Sequence, residues 1–336
     1  MPPNAFRPGA SADGQPLNAE FQRPGGPPQD GPDDGDTSFG NPSSGNPGGP
    51  GGGRPGPGGR PDMRPGGRPE GPPNPDVTVI IGTDDADTLT GGDDDDVFIG
   101  SAGSDLITGG AGADVVDYSD LGGPVTLLTA GLVDKGDLGT DTLGSFDNDT
   151  GTLEVIETVI GARGERNVVD GTSEQGAVSI DVDLTTGTFT ATVVEDTFAF
   201  EEGDSFSLSL RGFSDVLGSD NNDAITGNNR DNLLTGADGA DTINGAGGAD
   251  TIDGGAGDDL LTGGRGPDIF QITLGDGSDV IVDFEVGSDM LVLSGVALGN
   301  ITATTDGTNT LVDYDDGDIL LTGVVEEDID ALILLV

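Results

Sequence analysis

Along two stretches of this chain an apolar side chain returns at every ninth residue, always two places after a carboxylate or carboxamide. The first stretch, over residues 82–117, reads GTDDADTLT, GGDDDDVFI, GSAGSDLIT and GGAGADVVD. The second, over 218–271, reads GSDNNDAIT, GNNRDNLLT, GADGADTIN, GAGGADTID, GGAGDDLLT and GGRGPDIFQ. The eighth position is Leu89, Phe98, Ile107, Val116, Ile225, Leu234, Ile243, Ile252, Leu261 and Phe270, with no polar exception. The sixth is Asp87, Asp96, Asp105, Asp114, Asp223, Asn232, Asp241, Asp250, Asp259 and Asp268. Between the stretches the period lapses, yet β-like runs persist at 125–128, 178–184, 188–194 and 206–210, and GARGERNVVDG (161–171) reads as a decayed unit with one residue added. After Gln271 the run LGDGSDVIVDF restores positions four, six and eight at Gly277, Asp279 and Ile281, following a two-residue phase shift. Further strands are predicted at 290–293, 310–314 and 319–322.

These units resemble the calcium-binding nonapeptide GGxGxDxUx of RTX proteins, a repeat associated with parallel β-helices. In-phase repetition makes the resemblance far more specific than a single glycine motif. It implies an all-β fold: a parallel β-roll in which a six-residue turn and a three-residue strand alternate, so that each unit stacks on the next but one. Alternation within the strand then buries position eight and turns positions seven and nine outward. Glycine at positions one, two and four is expected to take positive φ. The resulting turns aim backbone carbonyls at one point, and Ca2+, which takes six to eight oxygens, is satisfied by these and the sixth-position side chains.

On the family's pattern the ligand pairs are Asp87 with Asp105, Asp96 with Asp114, Asp223 with Asp241, Asn232 with Asp250, Asp241 with Asp259, and Asp250 with Asp268. Asp279 is a candidate further ligand closing the last turn. The Asn232 site is expected to be the weakest, since its amide carries no charge and Asn228, Asn229 and Arg230 replace the unit's glycines. Arginine is costly wherever left-handed geometry is required. Asp93, Asp94, Asp95 and Asp238 read as solvated acids or as extra ligands. The competing reading is a metal-free solenoid in which the aspartates only hydrogen-bond their own turns.

Charge narrows the partners. A formal net charge of −50 over 336 residues, from 62 acidic against 12 basic side chains, disfavours nucleic acid and anionic membranes. Such a chain is expected to stay largely unfolded until a cation neutralises it, so that binding free energy becomes folding free energy. The absence of Cys, His and Trp, with Lys135 the sole lysine, removes thiol chemistry, Ser–His–Asp triads, histidine-ligated metals and lysine Schiff bases. Paired carboxylates survive as a conceivable acid and base, but with 62 acids close pairs arise without catalysis. No apolar run reaches the roughly 20 residues of a membrane-spanning helix.

Five regions are expected: a disordered arm over 1–76 rich in Pro, Gly and Arg, a first repeat block over 82–117, a β-rich insert or degenerate solenoid over 118–217, a second block over 218–271, and capping strands with an export signal over 272–336. The arm holds every proline except Pro124 and Pro267, and each of its arginines (Arg7, Arg23, Arg54, Arg60, Arg64, Arg68) precedes a proline. That composition favours a solvated, extended spacer. The alternative is that its Arg-Pro steps contact cell-surface or matrix polysaccharide, or the acidic body of the same chain. MPPNAFRPGA lacks the apolar core of a secretory leader, whereas GVVEEDIDALILLV is similar to the C-terminal signals of RTX substrates of the type I secretion apparatus. The resemblance thus implies a secreted, calcium-binding protein, extracellular or attached to the cell surface; because the low-complexity arm stands where toxin members carry a large apolar or catalytic domain, a non-enzymatic role is expected. The alternative is a carbohydrate-active or other secreted enzyme that uses the repeats as a folding and export module. An aromatic content of 4% weighs against the stacking platforms a polysaccharide groove needs.

Overall fold

A computed structural model describes residues 77–129, 131–147, 152–154, 156–172, 178–194, 205–297, 300–314, 317–325 and 333–335. The arm expected over 1–76 lies outside the described residues. Apart from the 3-10 turn Gly136–Leu138, the described elements are all strands, arranged in a 14-stranded sheet, a 12-stranded sheet and one two-stranded hairpin. Among them no helix is long and apolar enough to cross a membrane.

The nine-residue period becomes two facing columns. Alternate units feed alternate sheets, so the strand Ala224–Thr226 pairs in parallel with Thr242–Asn244, and that strand with Leu260–Thr262, in the larger sheet. Leu233–Asp238, Thr251–Ala256 and Ile269–Thr273 do the same in the smaller one. The register is fixed by burial: a slip of one residue would turn every eighth-position side chain to solvent. In the larger sheet Ile225 lies beside Ile243, Ile243 beside Leu261, and Leu261 beside Ile281. In the smaller, Leu234, Ile252, Phe270 and Leu291 follow one another. These side chains are buried and form the core between the sheets, whereas Leu89 at the first turn is only half-buried.

The described residues between 118 and 217 continue both sheets and break their parallel pattern twice. Thr126–Leu128, Leu132–Asp134 and Thr140–Leu143 form an antiparallel excursion in the smaller sheet. Val178–Asp183, Thr188–Val193 and Ser205–Arg211 form another in the larger, with the Phe189 and Phe206 rings 5.6 Å apart. Columns nevertheless run through: Phe98, Val116, Val159 and Leu210 are successive neighbours, as are Leu127, Val169, Val216 and Leu234. At the C-terminal end Ile301–Thr305, Thr310–Tyr314 and Gly317–Leu321 close the larger sheet as antiparallel strands, and Ile333–Leu335 adds in parallel to Met290–Ser294 in the smaller.

Candidate metal centre

Each sixth-position side chain sits at the entrance to its strand, and the stacking brings it beside the same position one coil on. One carboxylate oxygen accepts the backbone N–H of the preceding stacked residue: Asp87 N–H donates to Asp105 Oδ1 at 2.9 Å, Asp96 to Asp114 at 2.8 Å, Asp223 to Asp241 at 2.8 Å. Asn232 donates to Asp250 at 2.8 Å, Asp241 to Asp259 at 2.8 Å, and Asp250 to Asp268 at 2.9 Å. All six expected pairs are therefore adjacent in the stack. The row also runs past both blocks. Asp105 N–H donates to Asp141, Asp114 N–H to Glu157, Asp259 N–H to Asp279, and Asp268 N–H to Asp289.

Asp141, Glu157 and Asp289 were not among the residues expected to lie in the row. Asp141 belongs to GDLGTDTLG (136–144), which matches the repeat at positions one, four, six and eight, and Asp289 belongs to FEVGSDMLV (284–292), which matches at four, six and eight. Those matches were the available signals. Glu157 follows TLEVI, which has no glycine, and carried none.

The second carboxylate oxygen divides the turns into two kinds. In the capped kind the residue at position two donates to it. The N–H groups of Thr83, Gly92, Ser219 and Glu285 bond Asp87, Asp96, Asp223 and Asp289 at 2.6 to 2.7 Å, and Asn228 N–H bonds Asn232 Oδ1 at 2.8 Å. For Asp105 the donor is the Ser101 hydroxyl, at 3.2 Å. In the open kind Oδ2 is buried with no hydrogen-bond partner, at Asp114, Asp241, Asp250, Asp259, Asp268 and Asp279. Position two of these turns is Gly110, Ala237, Ala246, Gly255, Gly264 and Gly275, every one at positive φ. Among the described residues, Ala237 and Ala246 are the only non-glycine residues at positive φ.

Two expectations about the turns need correction. First-position glycines such as Gly91, Gly236 and Gly245 do not take positive φ; they are there because space is short. A methyl group on Gly236 would collide with Asp241 Oδ2 and the Gly254 carbonyl, and one on Gly245 with Asp250 Oδ2 and the Gly263 carbonyl. The carboxylate oxygen and the next turn's carbonyl thus converge on the bare side of that glycine. Nor is Arg230 strained: its unit is capped, its N–H donates to Asn228 Oδ1 at 2.9 Å, and its φ is not positive. Of the acids at other turn positions, Asp93, Asp94 and Asp238 are exposed, while Asp95 accepts the N–H of Ala113 at 2.9 Å.

Burial sets the electrostatics of the open turns. It pushes Asp241 and Asp279 up to about 7, and Asp114, Asp250 and Asp259 to about 6, with neighbouring acids adding to the rise. Asp268 is raised for the same reason. Half-buried Asp87, held by the N–H and hydroxyl of Thr83, is lowered instead; Asp223, capped but buried, is raised. Desolvated carboxylate oxygens without donors, beside inward-turned carbonyls, are the donor set of a hard cation. Among the described residues no group of three acidic side chains is placed to hold a metal ion by itself, so turn carbonyls would have to supply further oxygens.

Fold and site together define a parallel β-roll with a carboxylate-lined edge. A family model described as the RTX calcium-binding nonapeptide repeat matches the chain in four copies, over residues 79–117, 217–252 and 236–270. Over these residues the chain carries RTX calcium-binding nonapeptide repeats, and the ion such repeats bind is Ca2+. A search of curated proteins finds no match. Among solved structures, the chain is similar to the extracellular lipase LipA from Serratia marcescens at 18% identity and a TM-score of 0.33, over 77% of this chain and 40% of the lipase. It is also similar to two subunits of mannuronan C5-epimerase from Azotobacter vinelandii, each over 35% of this chain. AlgE6R2 shows 32% identity and a TM-score of 0.30 over 90% of its length, and AlgE6R3 29% and 0.29 over 80%.

Proposed function

We propose that this protein is exported by a type I apparatus, folds its β-roll on meeting extracellular Ca2+, and serves as a non-enzymatic cell-surface or matrix component. The observation that carries the reading is the set of buried, donor-free Oδ2 atoms at Asp114, Asp241, Asp250, Asp259, Asp268 and Asp279. Without a cation each is a desolvated acceptor in an acidic row, a cost of roughly 1 to 3 kcal/mol apiece or more when charged. Bound Ca2+, held by these side chains and by turn carbonyls, would satisfy the oxygens and screen their mutual repulsion. With a net charge of −50, the chain gains further from neutralisation. Extracellular modules bind with dissociation constants of roughly 10⁻⁴ to 10⁻³ M, which would keep the chain loose in a calcium-poor cytosol.

Composition supports a non-enzymatic role: no His or Cys is present, and Lys135 is buried in ion pairs. The RTX repeats support export. The test is far-UV circular dichroism of the full chain during calcium titration, with magnesium as control. A cooperative rise in β signal is expected in calcium alone, and the triple variant D241A/D250A/D259A should lose it. A spectrum already β-rich in chelator and indifferent to calcium would sink the reading. Turnover of acidic polysaccharides by the calcium-loaded chain would overturn the non-enzymatic assignment.

A further inference from the structure

The only lysine in the chain lies inside the carboxylate row. Lys135 follows the strand Leu132–Asp134 and opens the 3-10 turn Gly136–Leu138, and its side chain is 0% exposed. Its ammonium donates to the Ser101 carbonyl at 2.7 Å and to Asp141 Oδ1, and lies 3.7 Å from Asp105 Oδ2. Ser101 and Asp105 are positions two and six of one turn, and Asp141 is position six of the turn stacked on it. A turn carbonyl and two stacked sixth-position carboxylates thus converge on a cation that belongs to the polypeptide. We propose that the Lys135 ammonium fills, between Asp105 and Asp141, the place a calcium ion takes between other stacked turns, so that the chain closes this site itself and excludes the metal.

Other features of the site agree. Both Asp141 oxygens are committed, Oδ1 to the Asp105 N–H at 3.0 Å and to Lys135, Oδ2 to the buried Tyr118 hydroxyl at 2.7 Å. At the open turns the second oxygen has no such donor. All the other basic side chains are arginines, and a planar guanidinium cannot stand in for a compact ion as an ammonium can. Lys135 is carried into place by the antiparallel excursion that interrupts the repeat, so the interruption itself brings the counter-charge. This joint between the first block and the rest of the roll is therefore set without metal.

The inference rests on the calcium-roll reading, and the experiment separates the two. Bound calcium per chain would be counted by equilibrium dialysis for wild type, K135M and K135M/D141N, all full length and carrying Tyr314→Phe, with circular dichroism reporting folding. Terbium emission sensitised by Tyr118 would locate the new ion. K135M is expected to bind one ion more than the Lys135 chain and to gain emission that Tyr118→Phe removes, and adding D141N should abolish both gains. A folded K135M with unchanged stoichiometry and no emission would overturn the assignment. So would a K135M that stays unfolded at saturating calcium, because calcium must be able to replace the ammonium. If the Lys135 chain itself binds no calcium, the underlying roll reading fails instead.

Discussion

Ala237 sits at a φ of 82°, and four residues on, the Oδ2 of Asp241 is buried without a donor. Ser219 occupies the same place one coil earlier, and its N–H caps Asp223 Oδ2 at 2.6 Å. The handedness of one backbone residue therefore accompanies a switch between a self-satisfied carboxylate and one free for a ligand.

Open and capped turns should differ in what a lost charge does. Asp250→Asn is expected to raise the calcium concentration at half-saturation about tenfold, since the count of charged ligands sets affinity in such sites. Asp87→Asn, at a turn whose Oδ2 is held by Thr83, should shift it much less. Equal shifts in calorimetric titrations would show that the two kinds of turn are equivalent to the ion.

Relieving the two strained alanines should stabilise the roll. Ala237→Gly and Ala246→Gly remove the cost of a side chain at positive φ, partly offset by the entropy glycine loses on folding, for a net gain of about 0.5 to 1 kcal/mol each. The readout is the urea midpoint at saturating calcium, which should rise with the slope unchanged. A fall would mean the turn does not hold this geometry in solution.

Gly254→Ala should destabilise by about 1 to 3 kcal/mol, the usual cost of overpacking, because the methyl would press on Asp259 Oδ2 and displace a carboxylate of the row. Gly123→Ala is the control: its position is open and its φ is not positive. The pair distinguishes a steric role for first-position glycine from a general sensitivity to alanine.

Acid should substitute for metal. Folded-state values near 6 and 7 at Asp114, Asp241, Asp250, Asp259 and Asp279 stand above the ordinary 3.8. A raised carboxylate contributes no penalty when protonated below 3.8; the penalty grows as pH climbs from 3.8 to the folded value and levels off above it. In chelator, the β signal is therefore expected to grow as pH falls from about 7 to about 4, and in calcium the half-saturating concentration should rise over the same descent. A β signal in chelator that falls with acid would contradict the sign.

The repeat blocks were legible because position eight must be apolar and position six must carry an oxygen, and both constraints recur at a fixed period. Asp141 and Asp289 were missed although GDLGTDTLG and FEVGSDMLV carry most of the pattern, because each follows a segment that breaks the phase. Glu157 was illegible: burial of Val159 and pairing with Val115–Asp117 place it, and neither leaves a glycine signature. The place of Lys135 depends on an antiparallel hairpin that brings residue 135 beside residue 101, a tertiary relation no local period encodes. The two kinds of turn were visible in part. Ser, Thr, Asn and Glu at position two mark capped turns, yet Gly92 is capped beside Asp93 and Asp94, so residue type at that position does not decide alone.

The peptide flip at position two also bears on how such chains diversify. Acidic residues in the row are bound to one another through N–H to carboxylate contacts, so replacing any one disturbs two coils. A residue at position two holds no carboxylate of its own, though it abuts the coil before it: a methyl on Gly255 would press on the Ala237 carbonyl, and one on Gly264 on the Ala246 carbonyl. Where the preceding coil leaves room for a side chain, ion capacity in this architecture can drift through substitutions among glycine, alanine and serine that leave net charge, hydrophobic pattern and the acidic row unaltered, and two chains with identical aspartates can differ in how much metal they hold.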